Sequence, residues 1–69
     1  MSKYVTRFSH FTFRKDGSSL VVTSERSSGF EEIYAWRDEW NDLDKNERNS
    51  AIYSEYYLRA KSDYRDYKS

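Results

Sequence analysis

Histidine occurs once in this chain of 69 residues, at His10, and cysteine does not occur. A serine–histidine–aspartate arrangement would have to be assembled around that single imidazole. Read as a strand residue opposite Thr23, His10 is an ordinary solvent-face side chain. One histidine without thiolates excludes zinc held by its usual ligand set. Carboxylates alone could hold magnesium or calcium, but the Asp-x-Asp-x-Asp-Gly loop pattern is absent. Gly17 and Gly29 are the only glycines, so Asp16-Gly17 reads as a turn and not as a phosphate loop. These residues predict no enzyme, no metal site and no cofactor. The chemistry left to the chain is binding.

Carboxylates give the first binding surface. At 100° per residue, Glu31, Glu32, Asp38, Glu39 and Asp42 fall on one side of a helix, with only Ala35 among them. A charged solvated face and acids in a first helical turn are ordinary features. Here, though, Asp38 and Asp42 are like charges at i,i+4, which destabilises a helix, and no lysine or arginine interleaves. Seven acids between residues 31 and 47 span about 24 Å of helix, one per roughly 3.4 Å. A single DNA strand carries one charge per about 3.4 Å. The partner this implies is a protein with a basic surface, such as a nucleic-acid-binding protein, met by a nucleic-acid-mimic face.

Two further surfaces compete with it. Tyr64 and Tyr67 lie beyond the reach of a small hairpin, and tyrosine in excess on one face suits an interface, including one between copies of this chain. Arg7, Phe8, His10, Arg14 and Lys15, with Tyr4, could instead read single-stranded nucleic acid, rings stacking on bases and cations following phosphates. Fewer than about five clustered cations is a weak footprint for that role.

Two helices and a hairpin are expected to position these groups. Ser28 and Glu31 form a capping box, and Phe30, Ile33, Tyr34, Trp36, Trp40 and Leu43 share an arc, so a helix is predicted over about 29–43. Asp44 with Glu47 opens a second helix, over about 45–62, with Asp44–Arg48 at i,i+4. The tail, residues 63–69, is polar and expected to fray. Tyr4 to Ser24 reads as a β-hairpin turning at Asp16-Gly17, pairing Lys15 with Ser18, Phe13 with Leu20 and Phe11 with Val22. In that register Phe8 falls on the wrong face, which calls for a bulge near Ser9-His10. Ile33 to Trp36 could alternatively form a third strand, but the capping box and apolar spacing favour helix. The expected fold is a small single α+β domain, an N-terminal antiparallel hairpin packed on two C-terminal helices (ββαα).

Composition is consistent with one modest core. A chain this short buries roughly 60% of its unfolded surface, and with no cysteine it has no disulfide to add. Aromatic residues, 19% of the chain, must supply much of the burial at about 150–250 Å² each. Net charge is zero, yet residues 1–26 carry five basic against two acidic groups, and the remainder seven against ten. No apolar run approaches 18 residues, so no membrane span is expected and a cytoplasmic location is the default. Together these features predict a small non-enzymatic inhibitor or modulator that binds a nucleic-acid-handling protein through an acidic helix face, in the general style of short virus-type inhibitors. The alternative is a single-stranded nucleic-acid-binding module using the hairpin.

Overall fold

The computed structural model describes residues 4–69. Four strands, β1 (Val5–Phe8), β2 (Phe11–Asp16), β3 (Ser19–Ser24) and β4 (Ser27–Ala35), form one antiparallel sheet in the order β1-β2-β3-β4. A 3₁₀ turn, Asp38–Asp42, leads into a single C-terminal helix, α1, of 24 residues covering 45–68. The predicted hairpin with two helices is therefore corrected to a four-stranded meander with one helix.

The segment read as a first helix is β4 followed by the 3₁₀ turn. Its apolar residues satisfy both periods, Phe30-Ile33-Trp36-Trp40 at helical spacing and Phe30-Tyr34-Trp36 at strand spacing. Ile33 separates them, because a helix buries it and a strand turns it outward. It is 63% exposed, while Phe30 and Tyr34 are buried. Pairing decides the matter: β3 buries Leu20, Val21 and Val22, and β4 completes its second ladder with Leu20 opposite Tyr34 and Val22 opposite Glu32. The Ser28–Glu31 box is not used as a cap.

Tight turns join the strands. The first hairpin closes Phe8 on Phe11, the second Asp16 on Ser19 and the third Ser24 on Ser27. The expected bulge at Ser9-His10 is thus a turn, with Ser9 at φ 57°, and Phe8 sits on its own strand facing the core side. Gly17 takes φ 62° at the first central position and Ser18 does not follow it. That is the type II′ arrangement, where type I′ would need both residues positive. The turn is therefore Gly17-Ser18, and the observed partners are Lys15 with Leu20 and Phe13 with Val22. A slip of two residues preserves every face, so the predicted core side of the hairpin stands while its partners change.

Helix α1 covers that side. Asp44 caps it with the expected reciprocal pair, its carboxylate accepting from the Glu47 N–H at 2.8 Å while Glu47 accepts from the Asp44 N–H at 3.3 Å. Ile52, Tyr56 and Ala60 are buried at intervals of four, and Tyr64 extends the row. Steps of four overshoot an α-turn by about 40° each, about 120° over three steps. The π-turn at Tyr53–Tyr57 absorbs most of that drift by widening one turn. The row then stays over Phe11, Phe13, Leu20, Val22, Phe30 and Tyr34, with Trp36 and Trp40 closing one end of the same cluster. Among the described residues no buried side-chain nitrogen or oxygen lacks a hydrogen-bond partner. None of their helices is long and apolar enough to cross a membrane.

The tail is the remaining correction. Helix continues to Lys68 because Tyr64 fills the space between Phe11 (ring centroids 5.8 Å apart) and Phe30 (5.2 Å). Tyr67 lies against Phe30 at 5.5 Å and reaches over Gly29, where a Cβ would stand 2.7 Å from its hydroxyl. Ending the chain at Ser62 should therefore destabilise it by about 2 kcal/mol or more. Urea denaturation followed by circular dichroism measures this, and an unchanged midpoint would show that the last turns hold nothing.

Candidate functional site

The five predicted acids do not share a face. Glu31 points to the outer side of the sheet opposite Thr23, while Glu32 is half-buried on the helix side opposite Val22. Asp38, Glu39 and Asp42 lie on the 3₁₀ turn, and Glu39 is 3.8 Å from Arg37, which also binds Glu55 at 3.1 Å. Strand geometry in β4 alternates what a helix would have gathered. Tyr64 and Tyr67 belong to the helix–sheet packing, and the Tyr64 and Ser27 hydroxyls share a 2.9 Å hydrogen bond.

The hairpin set is also dispersed. Arg7 is ion-paired with Glu25. Phe8 packs edge-on against Phe13 at 5.4 Å and Tyr53 at 5.2 Å. His10 is buried beside Phe11 and bonded to Ser24. Arg14 is exposed on the outer face between Val5 and Val21. No open aromatic platform results. Of these residues Phe8 lines a cleft with Asn49, Ser50, Tyr53 and Ser54, and Lys15 lines another that holds further cations.

That cleft, about 450 Å³, is lined by Tyr4, Val5, Lys15, Trp36, Asn41, Lys45 and Arg48. Tyr4 and Lys15 are brought side by side by the first hairpin, where the Lys15 N–H donates to the Tyr4 carbonyl at 3.0 Å. Trp36 follows β4, its backbone N–H bound to Ser18 O at 3.0 Å and its indole N–H to Asn41 Oδ1 at 3.0 Å. Its ring meets Tyr4 edge-on at 5.6 Å. Lys15 Nζ lies 5.4 Å over the Trp36 ring and donates to Gly17 O at 2.7 Å. The Arg48 guanidinium lies 5.2 Å over Tyr4, with Nε and Nη2 donating to the carbonyls of Trp40 (2.8 Å) and Leu43 (2.9 Å). Contacts of this kind between cation and ring contribute about 0.5–1 kcal/mol when exposed, so the rings hold the charges in place.

Electrostatically the cleft is one-signed. Its lining holds Lys15, Lys45 and Arg48 and no carboxylate. Among the described residues, none of these three lies within ion-pair distance of an acid, whereas Arg7 and Arg37 do. Asp44, the expected i,i+4 partner of Arg48, is committed to the helix cap. Burial pushes the Tyr4 phenol above its ordinary value, against the opposing influence of Thr6 and Arg48. It therefore stays protonated and donates to Asn49 Oδ1. Two ammonium groups, a guanidinium edge and the Asn41 amide can together receive a phosphate or carboxylate. No group of three His, Cys, Asp or Glu residues able to hold a metal occurs among the described residues.

Sequence reasoning found Lys15 and mentioned Tyr4, took Trp36 for core alone, and missed Val5, Asn41, Lys45 and Arg48. The signal available was Lys45 with Arg48, one turn apart behind a cap that occupies the nearby acids. Compared with protein-family models, curated proteins and solved structures, the chain matches none.

His10 carries a separate expectation. Its Nδ1 is 2.7 Å from Ser24 Oγ and its ring 4.8 Å from Tyr64. Burial holds the imidazole below its ordinary value, Arg26 adds to this, and Glu25 opposes it. The unfolded chain then binds the proton more readily than the folded one, so stability falls as pH drops through about 6.5 toward the folded value. Urea titrations at pH 7 and pH 5.5 should show this loss, and His10→Gln should reduce it. An equal pH dependence in the variant would assign the effect to other groups.

Proposed function

We propose that the protein is a small non-enzymatic module that binds single-stranded nucleic acid through its phosphates in the Lys15–Lys45–Arg48 cleft. One observation carries this reading: in a chain of zero net charge, three cations converge on one concavity with no acid in its lining. Arg14 stands opposite Val5 on the outer face of the sheet, outside the lining of the cleft, and adds a fourth cation on that side. An open cleft of this size suits one nucleotide of a flexible strand, whose backbone can bend to bring a phosphate into it. Trp36 and Tyr4 already carry cations over their rings, so affinity comes from charge more than from stacking, with little preference among bases. The inhibitor reading rested on a single acidic helix face, and β4 with the 3₁₀ turn divides those acids between separate surfaces.

Labelled single-stranded DNA and RNA should bind saturably at about 50 mM salt, with log K falling against log salt at a slope near −2, as about three contacts at 0.7 each require. Lys45→Gln should lower the affinity and reduce the slope by about 0.7, with the circular dichroism spectrum unchanged. Absence of binding, or binding that Lys45→Gln and Lys15→Gln both leave unaltered, would overturn the assignment. Equal competition by polyglutamate would replace nucleic acid with an acidic protein segment as the ligand.

A further inference from the structure

Strand β4 forms one edge of the sheet. The Trp36 N–H donates to Ser18 O, and bonded positions alternate along an antiparallel ladder. Tyr34 and Glu32 therefore bond inward to β3, while Glu31, Ile33 and Ala35 turn their N–H and C=O groups to the open side. The Ala35 carbonyl accepts from the Tyr56 hydroxyl at 2.9 Å. Glu31 and Ile33 face out with both groups free of any such bond among the described residues. Natural edges are blunted by charged side chains, above all lysine, by proline, by a central bulge or by short length. β1, with four residues and Arg7, is such an edge. β4 has nine residues without lysine or proline, its only charges are Glu31 and Glu32, and its irregularity lies at the Thr23/Ser24 end. Two residues from its C-terminal end stands Ile33, 63% exposed beside Val21 on the face that α1 leaves bare.

We propose that β4 pairs antiparallel with β4 of a second copy of this chain, about a two-fold axis at Ile33, joining the two sheets edge to edge. The occupant follows from self-complementarity, since a two-fold contact must match its own surface. Centred on Ile33, the register sets Ile33 against Ile33 of the second copy, Glu32 against Tyr34, and Glu31 against Ala35, whose carbonyl keeps one lone pair beside the Tyr56 hydroxyl. No like charges oppose. Centring on Glu32 would place that carboxylate against itself, which destabilises a strand pair.

Charge on the helix side agrees with the same register. The Arg59 guanidinium lies 5.1 Å over the Tyr34 ring and 5.6 Å from that of Tyr56. Among the described residues Arg59 has no carboxylate, and Glu32 no cation, within ion-pair distance. Placing Glu32 across from Tyr34 of the second copy brings it under that copy's Arg59, with Asp63 farther out at the Tyr34 hydroxyl, and the two-fold axis repeats the contact. Backbone bonds supply the attraction, and these two charge pairs fix the register.

One strand pair with two charge contacts is a small interface, so association is read over a concentration series. Sedimentation equilibrium of the full chain from micromolar to millimolar concentration should show the mass rising from 8.4 kDa toward twice that value. Ile33→Lys, at an exposed site, should remain monomeric with an unchanged circular dichroism spectrum. Glu32→Arg and Arg59→Glu should each weaken association about tenfold or more, and the double variant should restore it. Amide exchange at Ile33 and Glu31 in the unmodified chain should slow as concentration rises, which reads the same contact without any substitution. A monomer throughout, a dimer that Ile33→Lys leaves intact, or Ile33 exchange independent of concentration would each overturn the proposal. None of these outcomes depends on the cleft or its ligand.

Discussion

One helix covers one face of a four-stranded sheet in this chain, and aromatic rings fill the space between them. A short chain without cysteine has little else to bury. The rings meet mostly edge to face, as between Trp36 and Trp40 at 5.1 Å and Trp40 and Tyr56 at 5.8 Å, with Tyr34 and Tyr56 stacked at 4.7 Å. The π-turn follows from this demand, because only a widened turn keeps Ile52, Tyr56, Ala60 and Tyr64 over the same strip of sheet. Tyrosine can serve here because each buried hydroxyl has somewhere to go. Tyr34 donates to Asp63 at 2.5 Å and Tyr56 to the Ala35 carbonyl. Burial and the Asp63 contact both push the Tyr34 phenol up, so it remains the donor. An unpaired hydroxyl in the same place would cost about 1–3 kcal/mol.

The cleft is what this arrangement leaves at one end of the sheet. Helix α1 starts only after the 3₁₀ turn has buried Trp40, so its first residues stand beside Tyr4, Lys15 and Trp36 and do not cover them with apolar side chains. Lys15 and Arg48 lie over those rings with their charged heads at the opening. Packing and ligand chemistry share the same side chains there. The carbonyls of Trp40 and Leu43 fix the Arg48 guanidinium, so its direction is set before any anion arrives.

Local rules were legible in the sequence where one physical cause decided the outcome. Asp44 and Glu47 satisfy a helix end by themselves, and the alternation of Phe11, Phe13, Leu20 and Val22 marks a face whatever the register. The turn was placed one residue early because Gly17 can supply positive φ at either central position. β4 was not legible, since Phe30, Tyr34 and Trp36 suit both periods and only the need of β3 for a second partner selects the strand. Tyr64 read as tail because its partners, Phe11 and Phe30, lie far away in the chain. The cleft drew on residues 4 to 48, a span over which no periodicity operates.

A neutral composition conceals the charge that matters, because pairing is local. Arg7 is neutralised by Glu25, and Arg37 by Glu39 and Glu55. Asp44 and Glu47 are turned toward each other's backbone in the cap. In the cap neither carboxylate comes within ion-pair distance of Lys45 or Arg48, while Lys15 reaches the same opening from the sheet. Screening over about 10 Å at 0.1 M salt weakens whatever field the acids of the 3₁₀ turn and β4 could send across the surface. The sign of the cleft is therefore set by which side chains line it, and the sum of charges over the chain does not determine it.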